Sequence, residues 1–212
     1  MKIEHYNHFI EAMKAVSKEV HIEIASEDFK VLKTGGYNLC FAKKVGDTFN
    51  VVWHSNYKYL RFDTFSWTPL YQLFGSNTFA GGVTVHAATE NRNCNLGQTC
   101  TLDSYGELSL AKDGGSSTAL TFNNEYGPIH TGVNQLLTTA SGQKSLPIYV
   151  SEAQEVVGNV ELTPKESVMV WFEKNIETST MFSTARSNSI EIDMTQVNSS
   201  KVLYKDGKWI LQ

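Results

Sequence analysis

Residues 37–54 read YNLCFAKKV-GD-TFNVVWH, two apolar and aromatic runs joined by Gly46-Asp47. A glycine-containing pair between two such runs is a two-residue hairpin signal, because these turns need positive φ values. Gly35-Gly36 marks the turn that leads in. The segment predicts antiparallel β-structure, and the rest of the chain extends it. Further strand-like runs cover residues 57–65, 70–75, 83–89, 107–111, 119–123, 148–150, 156–162, 168–172 and 189–194. Turn residues separate them at the spacing of a sandwich or barrel. Residues 202–211, VLYKDGKWIL, repeat the hairpin pattern around Asp206-Gly207 and predict a chain that ends on an edge or closing strand.

Two segments depart from this rhythm. Residues 133–140 fit both periods: Val133, Leu136, Leu137 and Ala140 recur at helical spacing, whereas Thr131, Thr138 and Thr139 favour strand. Residues 112–117, KDGGSS, read as a loop within the domain. Upstream of the hairpin, Tyr6, Phe9, Ile10, Met13 and Val16 recur every three or four positions, which predicts an amphipathic helix ending near Glu19. Val20, Ile22 and Ile24 then alternate with His21 and Glu23, and Phe29 and Val31 open a further extended segment. The expected architecture is a single domain over residues 1–212. It consists of an amphipathic helix (residues 1–19) ahead of an antiparallel, Greek-key-like β-sandwich (residues 20–212).

Composition narrows the function classes. Hydrophobic residues at 41% and charged residues at 19% exclude a disordered chain. A net charge of -4 lacks the cationic footprint of a nucleic-acid binder. No apolar run approaches the ~20 residues that span a bilayer. The opening MKIEHYNHFIEAMK has no apolar export core, so the expectation is a cytoplasmic protein or one exported by another route. Three cysteines, an odd number, suit a reducing compartment, although Cys94 and Cys100 flank a short loop that a disulfide would close into a ring.

The chain has no phosphate-cradling loop, no glycine-flanked serine nucleophile, no paired-histidine zinc helix and no CxxC knuckles. His5 and His8 have helical spacing without a fitting carboxylate, so the expectation is no metal, and no cofactor is implied. An enzyme here would assemble its site from scattered residues, the candidates being His54, Asp63, His86, Asp103, Glu107 and His130.

The densest aromatic run lies at residues 53–74, WHSNYKYLRFDTFSWTPLYQLF. If Leu60 and Phe62 face the core, the opposite face carries Tyr57, Tyr59, Arg61, Asp63 and Phe65, with Trp67 in phase. Such a face is either covered as ordinary core or offered to a ligand. Tyr and Trp serve the second role well, joining apolar area to a hydrogen-bonding tip. The polar loop at residues 91–100 and the corner at residues 122–130 are weaker candidates for reading sugar hydroxyls, and Asn198-Ser199-Ser200 fits the glycosylation sequon.

In architecture alone, an amphipathic helix ahead of an aromatic-bearing sandwich resembles the plan of actinoporin-type pore formers and the related fungal fruit-body lectins. No motif of those families carries over to a residue here. The resemblance implies a non-enzymatic, lectin-like or toxin-like binding protein. Its expected contact residues are Trp53, Tyr57, Tyr59, Arg61, Trp67 and Tyr71, and its expected partner is a glycan, a lipid surface or a protein. The alternatives are a hydrolase-type enzyme and an assembly subunit, a homo-oligomer with the aromatic face buried between chains.

Overall fold

The computed structural model describes residues 16–139 and 142–212. The expected N-terminal helix lies outside the described residues except at its end, where Lys18 and Glu19 belong to strand β1 (Lys18–Ile24). Alternation holds in β1, which buries Val20, Ile22 and Ile24. The segment expected to be extended at Phe29 and Val31 is instead helix α1 (Ser26–Thr34). Glu27 and Asp28 in its first turn and Lys33 in its last complement the helix dipole. Phe29 and Leu32, three apart, are the side chains turned toward the core, and Val31 faces out.

The remaining strands are β2 (Asn38–Val45), β3 (His54–Asn56), β4 (Phe62–Ser76), β5 (Arg92–Asn93), β6 (Gln98–Leu102), β7 (Lys112–Asp113) and β8 (Leu120–Asn124). They continue with β9 (His130–Thr139), β10 (Gly142–Val150), β11 (Gly158–Leu162), β12 (Pro164–Glu173), β13 (Ile190–Asp193), β14 (Ser199–Lys205) and β15 (Lys208–Leu211). The long sheet runs β10-β9-β4-β1-β14-β15, with β5 also on β4; the two smaller sheets run β13-β12-β2-β3 and β11-β8-β6-β7. The protein is thus mostly β and sandwich-like, with one short helix among the described residues. Most pairings are antiparallel, while β1 with β14 and β6 with β8 run parallel.

Both hairpin signals form. Val45 bridges Thr48 across Gly46-Asp47, and β3 pairs with β2 further along. Asp206 and Gly207, at φ 52° and 72°, join β14 to β15, which is the sheet edge. The Asp28 carboxylate accepts both turn amides at 2.9 and 3.1 Å, tying α1 to this hairpin. The ambiguous residues before 140 are strand. Residues 57–65 and 70–75, expected as two strands, contribute to one long β4 whose register shifts between Thr68 and Tyr71. Pro69, lacking an N–H, sits at that shift. Residues 83–89 and 107–111 form only isolated bridges, through Thr84 and Leu108.

Ring contacts join the layers. Phe41 of β2 stacks on Phe65 of β4 at 3.9 Å, and Trp53 packs edge-on against Phe65 and Trp67 at 5.1 and 5.9 Å. Phe172 of β12 meets Tyr204 and Trp209 at 4.9 and 5.3 Å. Each buried ring of this kind stabilises the fold by roughly 1.5–3 kcal/mol. One main core therefore runs through all three sheets.

Candidate functional site

The aromatic run is split by burial, with the opposite phase to the one expected. Tyr59, Phe65 and Trp67 are in the core, while Leu60 and Phe62 are 66% and 59% exposed. The phase inverts because Phe41 of the facing sheet and Trp53, just before β3, offer Phe65 and Trp67 a complementary surface. Of the six expected contact residues, Trp53, Tyr59, Trp67 and Tyr71 are buried within the chain, and only Tyr57 and Arg61 are exposed. Burial inside one chain also removes these rings as an interface between chains.

What remains exposed is a loop, residues 57–61, running into the first residue of β4. Tyr57, Lys58, Leu60, Arg61 and Phe62 all face solvent. Lys58 Nζ stands over the Tyr57 ring at 5.4 Å, and the Arg61 guanidinium over the Phe62 ring at 4.8 Å. The loop is held from below. Lys33 Nζ donates to the Tyr57 carbonyl at 2.7 Å and lies 3.6 Å from the centre of the Tyr59 ring, which meets Phe29 edge-on. Burial lowers the Lys33 pKa, against an opposing pull from Asp63. Helix α1 carries exposed Val31 beside Lys30, whose ammonium pairs with Glu27 at 3.0 Å.

A recess of about 90 Å³ opens at the base of this loop, between β2, β3, β4 and the end of β9. Its lining includes Phe41, His54, Asn56, Asp63, Phe65 and Thr138. The Asp63 carboxylate accepts the Thr64 amide at 2.9 Å and has only long contacts, at 3.4 Å, with Asn56 Nδ2 and the Leu60 amide. The His54 ring stacks at 26° to Phe65, with centroids 6.0 Å apart, and makes no hydrogen bond to a described residue. Burial lowers its pKa, with Asp63 opposing, so His54 is neutral at pH 7. Of the scattered catalytic candidates, His54 and Asp63 line one recess, while Asp103 and Glu107 meet through the backbone of a single turn. His130 is buried with Nδ1 2.7 Å from the Ser151 carbonyl, Asp103 closes its own turn on the Tyr105 and Glu107 amides, and His86 is exposed. No hydrogen bond orients His54 through Asp63, so the base–orienter contact of a catalytic pair is missing and the pair suits holding a ligand better than moving a proton.

The other sequence candidates serve the fold. Gln98 and Asn93 in the 91–100 loop bond Asn95 and Gln72, and Asn124 ties the 122–130 corner to the Gly127, Glu155 and Val156 carbonyls. No disulfide joins Cys94 and Cys100; both thiols are buried, and their mutual hydrogen bond, then burial, raises the Cys94 pKa. Burial pushes the Cys40 thiol up to about 12. His5 and His8 lie outside the described residues. Among the described residues no group of three His, Cys, Asp or Glu could hold a metal ion, and no helix is long and apolar enough to cross a membrane.

Sequence reading missed one charged centre. Lys43, with no solvent exposure, pairs with Glu166 at 2.9 Å, and Trp67 Nε1 and Tyr71 Oη donate to the same carboxylate at 3.4 Å. Burial lowers the Lys43 pKa to about 8, and burial followed by Glu166 holds Tyr71 well above the usual phenol range. The signal was there: Lys43 continues the phase of Leu39 and Phe41, so a lysine occupies a core position.

The comparisons with known proteins add no relative: no family model, curated protein or solved structure matches the chain.

Proposed function

We propose that the protein is a non-enzymatic binding protein that docks on an anionic lipid surface through the 57–62 tip. The observation that carries this reading is the exposure of Tyr57, Leu60 and Phe62 beside Lys58 and Arg61, on a chain whose net charge is -4. Apolar and aromatic side chains that enter the headgroup region, flanked by cations that meet lipid phosphates, are the chemistry of interfacial attachment. A second exposed apolar group, at Tyr105, Tyr126, Val156 and Val157, adjoins Asp103, Glu107, Glu125 and Glu155, and an anionic surface would repel it.

Vesicle co-sedimentation tests the reading. Vesicles containing phosphatidylglycerol should bind the protein, neutral phosphatidylcholine vesicles should bind it at least tenfold less, and added salt should weaken the binding. Changing Tyr57, Leu60 and Phe62 together to Ser should lower the affinity by more than tenfold. Binding that ignores both lipid charge and the triple change would overturn the proposal.

A further inference from the structure

The tip and the recess beneath it carry opposite charges within a few residues of one another. Lys58 and Arg61 are cations at the rim, and the Asp63 carboxylate lines the recess two residues after Arg61. The recess holds one acceptor that its neighbours leave under-satisfied, the Asp63 carboxylate. Asn56 commits Oδ1 to the Lys58 amide and Nδ2 to Asp63, and the Thr64 hydroxyl is 3.0 Å from His21 Nδ1. Asp63 Oδ2 has only long contacts, and His54 presents a neutral ring without a hydrogen-bond partner among the described residues. An anion would meet the carboxylate. A small cation bearing N–H groups matches it: its protons satisfy the under-bonded Asp63 carboxylate and the unprotonated ring nitrogen of His54. At about 90 Å³ the recess accommodates one such headgroup and no extended chain.

We infer that this recess is a binding site for a primary ammonium group, and that its natural source is a phospholipid headgroup carrying that group, with its phosphate on Lys58 and Arg61. The lipid source rests on the proposed function; the ammonium site itself does not. The rim cations and the recess carboxylate together complement a zwitterionic headgroup, which neither does alone.

The test compares vesicles of equal phosphatidylglycerol content whose second lipid is either phosphatidylethanolamine, which has a primary ammonium, or phosphatidylcholine, whose quaternary ammonium bears no N–H. The full chain should bind the first at least tenfold more tightly. Asp63→Asn and His54→Phe, which keep an acceptor for the Thr64 amide and the ring stack respectively, should each cut that preference severalfold and leave binding to the phosphatidylcholine-containing vesicles unchanged. Thermal unfolding checks that both variants fold. Equal binding of the two vesicles, or a preference that survives both substitutions, overturns the lipid assignment. If neither vesicle binds, the tip reading fails separately, and free ethanolamine titrated against the backbone amide NMR signals decides the recess. Saturable shifts at Ser55, Asn56 and Thr64 that Asp63→Asn abolishes uphold the ammonium site, and their absence overturns it.

Discussion

A lysine without solvent exposure, 2.9 Å from a glutamate that is itself 22% exposed, makes the fold sensitive to one carboxylate. Glu166→Gln leaves the Lys43 charge buried and uncompensated, a loss of about 3–5 kcal/mol at neutral pH. Lys43→Met removes the buried charge and leaves Glu166 its Trp67 and Tyr71 donors and its access to water, so it should cost less. Denaturant unfolding of the two variants checks the order. The pH response follows from the sign of the shift. The folded pKa of about 8 lies below the ordinary 10.5, so between those values the unfolded chain holds a proton that the folded chain has released. The Lys43 contribution to stability is therefore present at high pH and is lost as pH falls through about 8. The difference in unfolding free energy between wild type and Lys43→Met should rise across that window. Taking this difference cancels the opposing effect of Cys40 and Tyr71, whose raised pKa values disfavour the fold once the unfolded groups ionise. At this scale the sequence was readable where phase alone decided, as at Lys43. It was silent on Glu166, because no local pattern brings together residues 123 positions apart.

Among elements, the two hairpins were legible because their turns are local: Asp206-Gly207 has the backbone angles that its residue types favour, and no tertiary contact is needed to anticipate it. Helix α1 was misread because Phe29 and Val31 alternate over too few residues to separate two periods; the acidic first turn and Gly35-Gly36 after Thr34 were the better signals. The phase of the aromatic run was misread for another reason. A strand shows which residues share a face but not which face is covered, and that depended on Phe41 in a different sheet and on Trp53 outside β4. The β4–β9 pair supplies a test at this scale. Gly132 stands opposite Phe74, and a Cβ there would collide with the buried Phe74 ring. Gly132→Ala should destabilise the protein by about 1–3 kcal/mol, through overpacking. Combining it with Phe74→Leu should recover part of that loss, which thermal unfolding would show as a higher Tm than that of the single Phe74→Leu and Gly132→Ala changes added together.

For the whole molecule, the sandwich places the charge and the apolar area unevenly. Trp53, Trp67 and Trp171 are almost wholly buried, and the cationic aromatic tip stands at the end where α1 and the 57–61 loop meet. Fold class was legible from strand spacing, whereas the tip was legible only in composition. The residues that remain outside became visible when the sheets closed over the others. Three of the four native indoles are buried and the fourth, Trp209, lies half-buried on β15, so the wild type measured alongside isolates the signal of a tip probe. The most direct test of the docking claim is therefore tryptophan emission from Leu60→Trp, measured with phosphatidylglycerol vesicles carrying brominated acyl chains. Docking through the tip predicts a blue shift and quenching of the new indole beyond any change in the wild type. A probe that stays water-exposed and unquenched while the protein is bound to the vesicles would contradict it.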